Sequence, residues 1–419
     1  MAYKIIVAHP GRQHSFRVAS ELKQNDMLFK YITTVYDKKA SILMNVVKHI
    51  LSGDNLKRAN GRKNPDLTDD DVIQFCEFSG LVEIILARFD KKRSLYNWWQ
   101  RHNADRFGKK VAAYAIKNNV DAVILYDTNA LKCFKILQEK APNILRVMDV
   151  SAANRIYMKE IYEKDFRKCP QFSEKLKKER SFLWDKNTCQ RLLNEIELTQ
   201  LFLAPSNFVK QSLMFSGVTD DNIVICPYGA NFPGISPNKE EKLKGALEAV
   251  YVGNVTEMKG IYYLLEAAMS MDSNRVHLTV VGAYDNTDGL LTPYMDFVTF
   301  TGRITHDKVA ETLKKSDFFV FPSLGEGLSL SVLEALACGL PCIVTKNSGA
   351  NDAIIDGENG FVVDIQDSDA LAEKMIWFDE HRDLLPEMSR AAVKAIDNFN
   401  WANHEKCMIN ALKSRLEQK

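Results

Sequence analysis

The stretch DFFVFPSLGEGLSLSVLEALACGLPCIVT, residues 317–345, constrains the fold of this chain more than any other. Phe318 to Phe321 is an apolar run of strand length, and Ser329 to Cys338 carries apolar side chains at helical spacing. A turn that contains Gly325 and Gly327 separates them. A short buried strand, a tight turn and a helix in this order indicate an α/β sheet.

The turn and the start of the helix have the chemistry of an anion site. Gly325 and Gly327 allow the backbone to approach a ligand closely, and Ser329 is the expected N-cap. The helix then directs free N–H groups and its positive end at the turn, which suits a phosphate. Glu326 in the turn and Glu334 in the second helical turn can accept paired hydrogen bonds from vicinal hydroxyls. An unrelated pair of glutamates would more often be solvated surface charges.

These residues resemble the E-x7-E signature of the family-4 retaining glycosyltransferases. The matching positions are Glu326, Gly327, Leu330, Glu334, Ala335, Ala337, Cys338, Gly339 and Pro341. The resemblance implies that Glu326 sits beside the donor sugar and that Glu334 bonds the ribose hydroxyls. It also implies that loop amides hold the sugar and phosphates, those of Gly327, Leu328, Ser329 and Leu330. Ser329 stands where the family usually has a second glycine, which is expected to narrow the sugar pocket.

A second loop in the same half of the chain points to the same ligand. Its G-x5-K-G spacing, from Gly253 to Gly260, places the Lys259 ammonium beside free amides at a helix start, which suits a diphosphate. By resemblance, Lys259 binds that diphosphate and stabilises its leaving charge. The resemblance adds further donor-site residues, with the last two against the base: Gly253, Asn254, Gly282, Arg303 and Ile304. Asn254 replaces a common arginine, so one cation of the usual pair is missing.

The first half of the chain offers polar residues at predicted strand ends. His9, Gly11, Arg12 and His14 follow the strand-like run from Tyr3 to Ala8, and Asp127 and Asp149 follow two later ones. Because open α/β sheets bind ligands outside the carboxyl ends of their strands, these residues are expected at an acceptor cleft. The alternatives are a structural role for the histidines and helix capping by the aspartates.

With 419 residues, 46% of them hydrophobic, the chain is long enough for two domains with separate cores. Alternating short strands and helices, without internal repeats, predict two doubly wound sheets. The resemblance gives these the GT-B arrangement, two Rossmann-like domains that face a central cleft. The expected domains are residues 1–234 for the acceptor and 235–398 for the nucleotide sugar. A helix within 399–419 is expected to cross back to the first domain.

Charge is divided unevenly between the two halves. Residues 1–231 carry 37 Lys and Arg against 26 Asp and Glu, whereas residues 232–419 carry 18 against 28. The basic half is expected to attract an anionic acceptor or an anionic membrane face, although mutual attraction of the two domains would explain the same division. Nucleic acid is not expected, since no recognition module is visible.

The region from Ala40 to Lys117 is mostly helical in pattern, with Thr68 as the predicted cap of one helix. Within it, residues 87–110 mix aromatic with basic side chains, a mixture that suits either a membrane surface or a packing face between helices. No uninterrupted apolar run approaches the roughly 20 residues of a membrane span. The expected location is therefore cytoplasmic, with peripheral contact to the inner face of the membrane left open.

Neither a metal nor a bound cofactor is expected. The eight cysteines show no C-x-x-C pair and no zinc-like spacing with histidine, so they are interpreted as reduced thiols. No D-x-D motif lies beside a donor loop. The co-substrate implied by the resemblance is a nucleotide-diphosphate sugar, with UDP-sugars favoured.

The sequence therefore indicates a metal-independent, retaining glycosyltransferase. The sugar would pass to a glycan or lipid-linked acceptor, in the synthesis of a surface polysaccharide or glycoconjugate. The alternatives are a non-catalytic subunit that binds nucleotide sugars or glycans, and an epimerase or phosphorylase of the same fold. Which nucleotide, sugar and acceptor are used depends on pocket shape, which single residues do not reveal.

Overall fold

The computed structural model describes residues 3–11, 14–38, 41, 48, 60–90, 94–229 and 245–418. Two parallel sheets within this part of the chain form two domains. Arg12 lies outside the described residues, as do most of the residues around the expected domain boundary at 235. The boundary therefore stays a prediction.

The first domain is built on a seven-stranded sheet in the order β3-β2-β1-β4-β5-β6-β7, with every neighbouring pair parallel. Its strands are β1 Ile5–Ala8, β2 Leu28–Thr33, β3 Val72–Gln74, β4 Ala122–Tyr126, β5 Leu145–Asp149, β6 Leu201–Ala204 and β7 Ile223–Ile225. Strand β1 is buried at all four positions because its side chains alternate between two apolar clusters, one on each face of the sheet. Burial on both faces explains why the strands read as continuous apolar runs.

Eight helices of the described residues belong to this domain. They are α1 Ser15–Gln24, α2 Glu77–Phe89, α3 Ser94–Lys117, α4 Leu131–Lys140, α5 Arg155–Lys168, α6 Pro170–Glu179, α7 Lys186–Glu197 and α8 Asn207–Phe215. Helices α5, α6 and α7 lie between β5 and β6, and α6 contacts the second domain at Glu257–Lys259.

The second domain has a six-stranded parallel sheet in the order β10-β9-β8-β11-β12-β13. Its strands are β8 Leu247–Val252, β9 Val276–Val281, β10 Val298–Gly302, β11 Phe318–Phe321, β12 Cys342–Thr345 and β13 Gly360–Val363. Its helices are α9 Ile261–Met269, α10 His306–Lys315, α11 Leu330–Ala337, α12 Ser368–Glu380 and α13 Leu385–Ala395. The predicted pair of doubly wound sheets is confirmed.

The last helix, α14 Trp401–Glu417, returns to the first domain, as expected. Met408 and Leu412 are fully buried in the same apolar cluster as Leu22 of α1. The imidazole Nδ1 of His404 lies 2.8 Å from a carboxylate oxygen of Glu21, and both side chains are buried. The first domain thus completes one of its two cores with the end of the chain.

One predicted helix start is wrong. The hydroxyl and the backbone N–H of Thr68 both donate to the Asp71 carboxylate, at 2.7 Å each, and the chain turns directly into β3. The local hydrogen bonds are those of a cap, but the turn they stabilise leads to a strand at the edge of the sheet. Among the described residues, no helix combines the length and apolarity needed to cross a membrane.

Candidate active site

The loop after β11 is fixed by the segment that follows β12. The Glu326 N–H donates to the Asn347 carbonyl at 2.9 Å, and the Ser329 N–H donates to the Ser348 carbonyl at 3.2 Å. The Asn347 side chain donates to the Leu324 carbonyl at 2.8 Å. The loop is therefore rigid before any ligand binds, which is what a precise binding site requires.

Ser329 precedes α11 with an extended backbone, as an N-cap does, but its side chain makes no capping hydrogen bond. Its hydroxyl lies 3.1 Å from that of Ser331 instead. The cap predicted for Ser329 is thus wrong as a side-chain contact. The free N–H groups at this helix end are directed at the loop, which suits an anion.

Gly325 and Gly327 have a role that the sequence did not indicate. A Cβ on Gly327 would lie 2.0 Å from the Ser151 carbonyl oxygen, and one on Gly325 would lie 2.4 Å from Met158 Cε. The Ser206 hydroxyl donates to the Gly327 carbonyl at 2.6 Å. The close approach that needs glycine is therefore to the first domain, which packs directly on the donor loop.

The second loop brings Lys259 to Glu326. Gly260 adopts a left-handed conformation with φ 68°, and an added Cβ there would meet the Pro322 carbonyl at 2.0 Å. The Leu324 N–H donates to the Met258 carbonyl at 3.1 Å, which joins the two loops. As a result, the Lys259 ammonium forms an ion pair with the Glu326 carboxylate, and each side chain is 18% exposed. The Ser323 hydroxyl also donates to Glu326, at 3.1 Å.

A cavity of about 560 Å³ opens beside this ion pair. Most of the predicted donor residues line it, namely Gly253, Asn254, Lys259, Gly282, Arg303, Ile304, Glu326, Leu328, Ser329 and Leu330. Gly327 and Glu334 are not among the lining residues. Glu334 is half-buried, and its burial raises its pKa, partly offset by the charge of nearby His306. His306, at the start of α10, was not singled out in the sequence.

The first-domain candidates meet at the carboxyl ends of β1, β4 and β5. The His14 imidazole Nε2 lies 2.8 Å from the Asp149 carboxylate, and the Tyr228 hydroxyl contacts both, at 3.1 and 3.2 Å. Burial opposes a charge on His14, but Asp149 outweighs it and raises the pKa of His14. Likewise His14 lowers the pKa of Asp149 despite its burial. Tyr228 was missed because an isolated tyrosine carries no sequence signal.

His9 and Asp127 lie beside the His14–Asp149 pair, His9 buried and Asp127 nearer the surface. Burial lowers the pKa of His9 to about 4, so its imidazole is neutral. Its Nδ1 accepts the Gly11 N–H at 2.9 Å. Asp127 meets Arg155 at 3.5 Å near the surface. The chain runs from Asp149 directly to Ser151, the residue against Gly327, so this cluster lies next to the donor loop.

A third group of titratable residues lies under the Lys259 loop and was not anticipated. This group lies where α5 and α6 meet the second domain and consists of the buried residues Asp165, Cys169 and Glu257. A carboxylate oxygen or the thiol sulfur of each lies within 4.8 Å of those of the others. The Ser173 and Tyr263 hydroxyls donate to Asp165, at 2.6 and 2.7 Å. Burial, together with the charge of Asp165, raises the pKa of Glu257 well above its usual range.

Two parallel-sheet domains with a ligand cavity at the sheet edge and a last helix that crosses back define the GT-B fold of glycosyltransferases. Residues 246–380 match the family model described as "Glycosyl transferases group 1", and this match lies within the second domain.

Similar proteins support this assignment. Over 195 residues the chain is 27% identical to the Escherichia coli UDP-Gal:alpha-D-GlcNAc-diphosphoundecaprenol alpha-1,3-galactosyltransferase, covering 42% of this chain and 50% of that one. Its fold is similar to sucrose-phosphate synthase from Thermosynechococcus elongatus, with a TM-score of 0.65, 16% identity and 100% of both chains covered. It is also similar to HepE from Anabaena in complex with UDP-glucose, with a TM-score of 0.60, 14% identity, and 98% and 99% covered. The chain spans about half the length of the curated relatives it matches.

Proposed function

We propose that the chain is a retaining glycosyltransferase that moves a sugar from a nucleotide-diphosphate sugar to a glycan or lipid-linked acceptor, in polysaccharide or glycoconjugate synthesis. The observation that carries the proposal is the cavity beside the Lys259–Glu326 ion pair and the N-terminus of α11. Its volume of about 560 Å³ is within the range of small-molecule sites.

In this proposal the donor lies along the cavity with its diphosphate between Lys259 and the start of α11. Both carry positive charge, one as an ammonium and the other as free backbone N–H groups. Arg303 and Ile304 contact the base. Glu334 does not line the empty cavity, but it lies on the same face of α11 as the lining residue Leu330, one turn further on, and is proposed to accept hydrogen bonds from the ribose hydroxyls. A UDP-sugar is the favoured donor, since the galactosyltransferase relative uses UDP-Gal and the HepE neighbour holds UDP-glucose.

The transfer breaks the bond between the sugar C1 and the diphosphate oxygen and forms a bond from C1 to an acceptor oxygen on the same face. The acceptor proton passes to the departing phosphate oxygen, so no side chain acts as a covalent nucleophile. Glu326 positions the sugar, and its ion pair with Lys259 joins that role to charge stabilisation. Because these groups supply the positive charge, the reaction is proposed to need no metal.

A binding subunit without catalysis is the second candidate. It is favoured by Asn254, which lines the cavity where the family commonly supplies an arginine. Release of the nucleotide from a sugar donor in the presence of acceptor separates the two candidates, since a binding subunit retains the donor unchanged. A phosphorylase of the same fold would need inorganic phosphate to form product.

Lys259→Ala tests the donor site. We expect turnover to fall about 100-fold or more, because an electrostatic contact to the leaving group is lost. The measurement is release of UDP from a panel of UDP-sugars, with and without EDTA. Lys308→Ala, on the exposed side of α10, is the matched control and should behave as wild type. Near-normal turnover in Lys259→Ala would remove the role of Lys259, and loss of activity in EDTA would contradict metal independence.

We further propose that the first domain contacts an anionic membrane through α2 and the start of α3. Phe78, Ile85 and Phe89 lie at helical spacing along α2 and are 69%, 55% and 71% exposed, and Leu95 and Trp98 of α3 are also exposed. The excess of basic residues in this half complements an anionic surface. Lys91, Lys92 and Arg93, between the two helices, lie outside the described residues.

Vesicle binding tests the membrane contact. Phe89→Glu/Trp98→Glu should abolish most co-sedimentation with vesicles that contain phosphatidylglycerol, because it places carboxylates where apolar side chains would enter the interface. Ile355→Glu, at an exposed apolar residue of the second domain, serves as the control. If wild type, the double variant and the control bind the vesicles equally, α2 and the start of α3 do not contact the membrane.

A further inference from the structure

A second cavity of about 560 Å³ lies wholly within the first domain. It is bounded by the first turns of α3, by the loop between β4 and α4, and by α7 with the turn that precedes it. This loop leaves the carboxyl end of β4, so the cavity lies at the edge of the sheet where open α/β folds bind ligands. None of the residues proposed for the donor lines it.

Three arginines line the cavity, and they differ in how far their charges are neutralised. Arg101 is exposed, and no hydrogen bond or ion pair joins it to a described residue. Arg155 is 3.5 Å from Asp127, at the limit of a hydrogen bond, and its guanidinium lies over the Phe182 ring. Arg191 pairs with Asp105 at 2.9 Å. Arg101 therefore faces the cavity without a contacting carboxylate among the described residues, although its charge helps to lower the pKa of Asp185, after the hydrogen bonds from Thr188.

The two carboxylates that line the cavity, those of Asp185 and Glu195, both accept hydrogen bonds from the protein itself. Asp185 caps α7, accepting from the N–H and the hydroxyl of Thr188 at 2.8 and 2.7 Å. Glu195 accepts the N–H groups of Thr128, Ala130 and Leu131 at 2.6 to 2.9 Å. Burial raises the pKa of Glu195 to about 7, so its negative charge is only partial at neutral pH. Asp185 stays charged, so the lining side chains carry three positive charges against one full and one partial negative charge, and this net positive charge favours an anion.

Arg155 connects this cavity to the proposed reaction centre. It begins α5, three residues after Ala152, whose Cα would lie 3.2 Å from a Cβ on Gly327. Two turns further along α5, burial raises the pKa of Tyr162, and the charges of Glu326 and Arg155 also act on it. Leu95 and Trp98 lie on the same helix as Arg101, one helical turn apart, and both are exposed, although neither lines the cavity.

We infer that this cavity binds the phosphate or diphosphate group of the acceptor. Arginine forks bind such groups with paired, charge-assisted hydrogen bonds, which a neutral glycan cannot form. A hydrocarbon chain attached to the same group would leave the cavity and could contact the exposed Trp98 of α3. That the ligand is an acceptor rests on the proposed glycosyl transfer, whereas anion binding in the cavity is measured independently of that proposal.

The test is calorimetric titration of the full chain with inorganic pyrophosphate and with farnesyl diphosphate, in the presence of saturating UDP. Arg101→Gln/Arg191→Gln is expected to weaken both affinities about tenfold or more, since charge-assisted hydrogen bonds to the anion are lost. Arg106→Gln, an exposed arginine on α3 away from the cavity, removes the same charge and should bind as wild type. UDP affinity should be unchanged in all variants.

The two probes separate the sources of the anion. Tighter binding of farnesyl diphosphate that Trp98→Glu reduces identifies a lipid-linked acceptor, and equal affinities identify a free sugar phosphate. If neither probe binds wild type, or if the arginine variants bind both as wild type does, the inference is wrong. If UDP alone fails to bind, the proposed donor site is wrong while the result for the anion cavity stands.

Discussion

The two sides of the cleft are built in different ways. On the second domain, the short loops after β8, β9, β10 and β11 supply the cavity, and the Asn347 and Met258 carbonyls hold the last of these loops in place. On the first domain, side chains from distant positions meet, as His14, Asp149 and Tyr228 do. The difference teaches that a site made of contiguous loops is visible as a sequence motif, whereas one made of side chains across several strands becomes visible only in the fold.

Asp149→Ala removes the carboxylate that His14 and Tyr228 contact on the first domain, and it should have the largest effect on stability. Removing one partner of a buried ion pair leaves the His14 charge unpaired, which costs about 3–5 kcal/mol of the free energy of unfolding. Urea unfolding measures it. Asp127→Ala, at the end of the adjacent strand, is the matched control and should cost at most about 1 kcal/mol, since its contact with Arg155 is partly exposed.

The effect of Asp149→Ala should depend on pH. The raised pKa of His14 means that the ion pair contributes fully at lower pH and weakens as pH rises through that pKa. The lowered pKa of Asp149 protects the pair on the acid side. The free-energy difference between wild type and variant should therefore be larger at pH 6 than at pH 9, and a difference that grows with pH would contradict the assignment.

Gly327→Ala acts where the two sides meet. The added methyl would overlap the Ser151 carbonyl, so the domains must separate or the loop must shift, at a cost of about 1–3 kcal/mol. We expect a lower unfolding temperature together with weaker UDP binding. Ser206→Ala removes the hydrogen bond to the Gly327 carbonyl together with the side-chain cap of α8, since the same hydroxyl accepts the Val209 N–H. It should lower the unfolding temperature as well, but it should weaken UDP binding less than Gly327→Ala does. Unchanged UDP affinity in Gly327→Ala would show that domain contact does not shape the donor loop.

Glu257→Gln tests the buried acids beside the Lys259 loop through the pH dependence of stability. The raised pKa values of Glu257 and Asp165 mean that these acids stabilise the fold while protonated, and that stability falls as pH rises through those values. The slope of unfolding free energy between pH 5 and 8 should be shallower in the variant, by at most about 1.4 kcal/mol per pH unit. Exposed Glu358→Gln should leave the slope unchanged.

The sequence predicted the second domain closely. Its strands and helices alternate with clear periodicity, and ten of the residues predicted for the donor line one cavity. The prediction was wrong where local and distant interactions compete. Ser329 has the sequence of a side-chain cap but uses its hydroxyl on Ser331, and Thr68 caps a turn before an edge strand.

The first-domain site could be predicted only in part. His14 and Asp149 were expected because both follow strands, but Tyr228 lies after β7 and reaches them by packing against α14. The cavity arginines come from three helices whose relative positions no pattern in the chain encodes. The second role of Gly325 and Gly327, contact with the first domain, is likewise set by the neighbour they face.

The return of α14 has a consequence for the order in which the protein is made. One face of the first sheet is covered by Met408 and Leu412 together with α1, so the ribosome must synthesise nearly the whole second domain before that face can be closed. Until then its apolar side chains stay accessible to chaperones. The first domain emerges before the second, yet this face of its sheet reaches its final packing only after the second domain has been made.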